Sequence, residues 1–170
     1  INAFASETLQ VFSNITGFNF SFSSLISEAI EFESSMTRVS SIMGVTGQGI
    51  KELSDSAREW GASTRYTATE VAEAYKYMGM AGFSLQESLS SIGDILNLTT
   101  IGATELGIAS DIVTDGLTAL GMSADQAGNF VDYMAATITR SNTDVEMMGE
   151  TLKYAGSVAG TLGVSMDDLS

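Results

Sequence analysis

The 170-residue chain has no cysteine, no proline and no histidine. Without cysteine there are no disulfides and no thiolate ligands, and without histidine the commonest general base and metal ligand is gone. Most familiar catalytic machinery is therefore excluded, and no cofactor is expected. The lack of cysteine suits any redox compartment and says nothing of location. Positive charge is also scarce: 7 Lys and Arg stand against 21 Asp and Glu, a formal net charge of −14. Phosphate backbones and anionic lipid surfaces repel such a chain at long range, so no direct nucleic-acid binding is expected. Long apolar runs are missing too. Glu7, Asn14, Asn19 and Glu28 interrupt the N-terminal stretch that could be mistaken for a signal peptide or a membrane span. Residue 1 is isoleucine, which suggests a piece of a longer protein.

What is present is an apolar content of 44%, enough to bury a core in one domain with an appendage. The appendage is the Phe- and Ser-rich segment 1–23, read as a linker or exposed helix. Its run Phe18-x-Phe20-x-Phe22 alternates as a strand would, but one short run does not define a sheet. The remainder, 24–170, reads as an all-helical domain of about seven helices.

The strongest pattern is a corner used three times: Gly82-Phe-Ser84-x-x-Glu87, Gly121-Met-Ser123-x-x-Gln126 and Gly163-Val-Ser165-x-x-Asp168. A glycine can take the left-handed conformation that ends one helix, and the serine hydroxyl can accept from the free N–H groups that open the next. The first two corners are 39 residues apart and the last two 42. The chain thus reads as repeated helical hairpins, forming either a compact bundle or a short solenoid. Apolar residues at steps of three and four fill the segments between. They comprise Ile26 to Met43 ending at Gly44, Ile50 to Trp60 ending at Gly61, and Val71 to Met78 after a capping box at Thr67 and Glu70. Leu85 to Leu96 follow and break at Gly102, then Leu106 to Leu120, Phe130 to Ile138, and Val145 to Leu162 after a box at Thr143 and Glu146. Trp60, Leu89, Leu117, Phe130 and Leu152 are the expected core anchors. If Trp60 is buried, its N–H needs a partner.

Three features invite sharper chemistry. The stretch Gly44-Val-Thr-Gly-Gln-Gly49-Ile-Lys51 resembles a phosphate-binding loop, but the lysine comes one place late, no Ser or Thr follows it, and a helix precedes it where a strand is required. The pairs Asp111/Asp115 and Asp167/Asp168 could hold a metal or run acid–base chemistry, yet without histidine or a matching loop of acids they read as a solvated face, and no metal site is assigned. Nine methionines and the small-residue run Ala155 to Gly160 suit close helix packing, in an ordinary core or in a membrane.

Four blocks carry a family resemblance: Trp60-Gly-Ala-Ser-Thr-Arg-Tyr-Thr-Ala-Thr-Glu-Val-Ala-Glu-Ala74, Tyr77-Met-Gly-Met-Ala-Gly-Phe83, Asp111-Ile-Val-Thr-Asp-Gly-Leu-Thr-Ala-Leu-Gly121 and Asn142-Thr-Asp-Val-Glu-Met-Met-Gly-Glu-Thr-Leu-Lys-Tyr154. From about Phe32 onward the chain resembles the core region of the tail tape-measure proteins of long-tailed bacteriophages and prophages. The resemblance implies a structural, non-enzymatic virion protein, assembled in the host cytoplasm and lodged in the tail lumen. There it would template tube length and leave ahead of the DNA. Implied partners are the tail-tube protein, the tail assembly chaperones and the tail-tip hub, with self-association and host-membrane contact during ejection left open. The alternative is a membrane-active helical protein assisting genome passage across the cell envelope.

Overall fold

The computed structural model describes residues 22–163. Among these it holds seven α-helices and no strand: α1 (Phe22–Met43), α2 (Gln48–Ser63), α3 (Ala68–Met80), α4 (Leu85–Gly102), α5 (Leu106–Ala119), α6 (Ala127–Arg140) and α7 (Val145–Leu162), with a single 3-10 turn (Ala124–Gln126) before α6. Phe22 opens α1, while Phe18 and Phe20 lie outside the described residues.

Packing sorts the helices into two layers. Each helix packs on its successor and on the helix after that, so α1, α3, α5 and α7 form one row and α2, α4 and α6 a second row against it. Within a row neighbours run parallel at a near-constant offset. A Cβ added at Gly149 or Gly156 of α7 would meet Ile112 or Ala119 of α5, both 37 residues back. In the other row a Cβ at Gly93 of α4 would meet the indole of Trp60 on α2, and one at Gly128 of α6 would meet Asp94 on α4. This is a compact two-layer bundle, in which each helix buries its apolar face on its neighbours.

The core follows from the apolar periodicity. Val39, Leu53, Val71, Tyr75, Met78, Ile92, Ile95, Leu98, Val113, Leu117, Phe130 and Met134 are all fully buried and belong to one continuous cluster. Trp60 and Leu89 are only partly buried and pack against the margin of that cluster. Leu152 lies inside it, holding α7 to α5.

Local chemistry sets the helix ends. Gly44, Gly82, Gly121 and Gly163 all have positive φ, so every helix of the odd row is followed by a left-handed glycine. At Gly82 the Phe83 N–H donates to the Met78 carbonyl and the Gly82 N–H to that of Gly79, and at Gly121 the Met122 and Gly121 N–H groups repeat the pattern onto Leu117 and Thr118. Both carry the two hydrogen bonds of a Schellman ending. Capping boxes form at Thr67 with Glu70 and at Ser84 with Glu87.

Four ends differ from the sequence reading. Helix α2 passes through Gly61 to Ser63, because Thr64 supplies the stop: its N–H and hydroxyl both donate to the Trp60 carbonyl. At the close of α4 the left-handed residue is Ala103, with φ 50, rather than Gly102. Helix α7 is capped by Asp144, whose carboxylate accepts from the Met147 N–H at 2.8 Å, and Glu146 instead accepts from the Thr104 hydroxyl. Ser123 opens the 3-10 turn rather than an α-helix, with its N–H and hydroxyl both donating to the Gln126 side-chain oxygen.

Candidate functional site

Because the odd-row helices run parallel, their C-terminal corners share one edge of the stack and their N-terminal ends share the other. Gly82 with Ser84 and Gly121 with Ser123 mark the first edge, and Gly163 closes α7 on the same side. Ser165, Asp167 and Asp168 lie outside the described residues.

The opposite edge carries a cleft of about 1040 Å³. Helix α1 forms one flank and the first turns of α3 and α5 form the floor. Six carboxylates line it: Glu28, Glu31, Glu33, Glu70, Glu73 and Glu105. Half of them already serve the fold. Glu33 pairs with Arg58 at 3.1 Å, and that guanidinium sits over the Phe32 ring. Glu70 closes the Thr67 capping box, and Glu73 pairs with Lys76 and accepts from the Ser35 hydroxyl at 3.3 Å. The first-turn position of Glu70 also favours the positive end of its helix dipole. The cleft is thus an acidic surface feature whose carboxylates knit α1, α2 and α3 together.

A second groove runs between α5 and α7. There Lys153 donates to Glu150 at 3.1 Å, and its ammonium is held above the ordinary lysine range by that hydrogen bond first and then by the charges of Glu150, Asp111 and Asp115. The pair Asp111/Asp115 is exposed and flanks this lysine. Among the described residues no group of three or more acidic or ligating side chains could hold a metal ion. The stretch from Gly44 to Lys51 forms a turn and the start of α2, and Lys51 pairs with Asp55 one helical turn on.

Inside the core one titratable group stands out. The Tyr75 hydroxyl is 2.7 Å from the Ser56 hydroxyl, and burial pushes its pKa up to about 12 against the lowering effect of that hydrogen bond. It is locked between α2 and α3. No helix among the described residues is long and apolar enough to cross a membrane.

The residues that matter most for the arrangement were not singled out from the sequence. They are the helical glycines Gly79, Gly93, Gly107, Gly128 and Gly149, each facing a side chain of the preceding helix in its row. A glycine inside an amphipathic stripe was the available signal, since it costs helix stability and so implies a close approach.

No solved structure matches the chain. Residues 54–170 match the family model described as phage-related minor tail protein. The chain is also similar to the tape measure protein of Pneumococcus phage Dp-1, 26% identical over 138 residues. That alignment covers 81% of this chain and only 12% of the phage protein, so the sequence spans about an eighth of the length of its relative. With a family match over well more than half of its length, the chain belongs to the phage-related minor tail proteins.

Proposed function

We infer that the chain is a folded module of a tail tape-measure protein, with a structural and non-catalytic role in tail assembly. The observation that carries this reading is the similarity to the Dp-1 tape measure protein across 81% of the chain. In such a role the whole protein templates the length of the tail tube from within its lumen and leaves ahead of the DNA. The tube protein, the assembly chaperones and the tip hub are its partners. A ruler works by rise, about 1.5 Å per residue in an unbroken helix. Here the turns fold seven helices side by side, so this stretch spans far less length than a continuous helix would. We therefore assign it an anchoring or assembly role within the tape measure, with the length-setting left to extended segments. The charge of −14 suits a protein that must share a narrow tube with DNA without adhering to it.

The test is an in-frame deletion of the codons for this module in the phage or prophage that encodes it, followed by electron microscopy of the tails. Absent or irregular tails are the expected result. Uniformly shortened tails would make the module part of the ruler itself. Uniform tails of unchanged length would overturn the reading.

A further inference from the structure

All seven Lys and Arg of the chain fall within the described residues. Five sit inside helices: Arg38 on α1, Lys51 and Arg58 on α2, Lys76 on α3 and Lys153 on α7. An endoprotease takes its substrate as an extended strand, so the peptide bonds that follow these five are closed to it while their helices last. Only Arg65 and Arg140 stand at joints between helices.

The two joints begin alike. Helix α2 ends with the Thr64 N–H and hydroxyl both donating to the Trp60 carbonyl, and α6 ends with the Ser141 N–H and hydroxyl both donating to that of Thr137. Beyond that point they differ. The Arg65 guanidinium donates to the Thr99 carbonyl at 3.0 Å and to the Tyr66 hydroxyl at 2.6 Å, and Tyr66, across the next peptide bond, is buried in the core. The Arg140 guanidinium has no ion-pair or hydrogen-bond partner among the described residues. Arg140 is exposed, as are Ser141 and Asn142 after it, and Ser141 is already extended, with φ −130 and ψ 174.

The turn before this bond is weak. Thr137, Ile138 and Thr139 are all β-branched and poor helix formers, and the two threonine hydroxyls bond back to the Tyr133 and Ala135 carbonyls. Ile138 is the one apolar side chain that opening this turn would pull from the margin of the core. Such a helix end frays at small cost. On the far side Asp144 caps α7, so the stretch free to open runs from Thr137 to Thr143.

We propose that the Arg140–Ser141 bond is a cleavage site, cut in the folded protein by an endoprotease whose specificity pocket pairs an arginine side chain with a carboxylate. Water adds across the bond, leaving a carboxylate on Arg140 and an amine on Ser141. Residues 77–139 and 141–152 contain no lysine or arginine, so such an enzyme has no second target nearby. The cut falls between helices. Every contact within α1 to α6 survives it, and α7 then keeps only its non-covalent contacts, among them Gly149 on Ile112 and Gly156 on Ala119 of α5. The proposal does not depend on the tape-measure reading.

Limited digestion of the chain with trypsin, followed by intact mass over time, tests it. The first products should be residues 1–140 and 141–170. Arg140→Gln should slow the first cut by about tenfold or more, because every other basic residue waits on the opening of a helix or the release of Arg65. Circular dichroism verifies that this variant stays folded. Arg140→Lys should restore the same cut, since trypsin takes either side chain. A first cut after Arg65 or any other basic residue overturns the proposal, and so does an Arg140→Gln chain digested as fast as the wild type.

Discussion

Ala103 shows how one residue reveals the rule by breaking it. Four corners of the described structure use glycine at positive φ with nothing within 4 Å of where a side chain would begin, and there the left-handed conformation is free of cost. Ala103 takes the same conformation, at φ 50, with a Cβ. The left-handed region costs a non-glycine residue about 1–2 kcal/mol, and part of that returns through the greater freedom of an unfolded glycine. Ala103→Gly should therefore stabilise the fold by about 0.5 kcal/mol net. Chemical denaturation would read this as a higher midpoint at unchanged slope, and a lower midpoint would show that the methyl group is needed for packing. Ser88 is the converse case. It is fully buried on α4, its hydroxyl has no hydrogen-bond partner, and nothing in the structure explains why serine stands there.

Between elements, the contact of α4 with α6 is where charge opposes packing. Asp94 on α4 faces Gly128 on α6, and a methyl group at Gly128 would sit 3.1 Å from the carboxylate. Burial raises the Asp94 pKa above its ordinary 3.8, and the Asp132 charge raises it further. The folded chain thus keeps a proton that the unfolded chain releases at 3.8, so stability falls as pH rises from there through the elevated folded value. At neutral pH the ionised side chain opposes the fold. Asp94→Asn should raise the melting temperature at pH 7 by about 1–2 °C, a small effect because the site is partly solvent-screened, and the gain should shrink as pH falls toward 4. A variant that melts lower at pH 7 would mean the carboxylate is stabilising. None of this was legible in the sequence, because the residues that meet across a row are thirty or more positions apart. The helix ends were legible, since a Schellman glycine at Gly82 or a capping box at Ser84 and Glu87 is written within six residues. The differences at Gly61, Gly102 and Thr143 arose where two residues within three positions of each other could play the same part. Thr64, Ala103 and Asp144 took the roles instead, each by hydrogen bonding or backbone geometry that composition alone does not rank.

For the whole molecule, a stack in which each helix packs chiefly on the next and the next but one makes stability close to a sum of neighbour terms. Position in the row then decides what a deletion does. Helix α7 rests mainly on α5, with Gly149 against Ile112 and Gly156 against Ala119, and sets Val145 against Gly102 at the end of α4, whereas α4 packs on α2, α3, α5 and α6. Ending the chain after Asn142 removes α7 and exposes Ile112 and Ala119, but leaves every pairing among α1 to α6 intact. Burying Val145 and Leu152 contributes at most about 3–6 kcal/mol, so its loss should lower the melting temperature without abolishing the transition. The shortened chain should lose helical ellipticity roughly in proportion to the residues removed and still melt cooperatively. Excising Leu85 to Gly102 instead should leave no cooperative transition, because it breaks the even row between α2 and α6 and removes the return helix that lets α3 and α5 run parallel. If the end deletion unfolds the chain as completely as the central one, the seven helices form one indivisible core rather than a stack of neighbours. The repeating corners at Gly44, Gly82, Gly121 and Gly163 would then mark a shared way of turning, without a shared unit of stability.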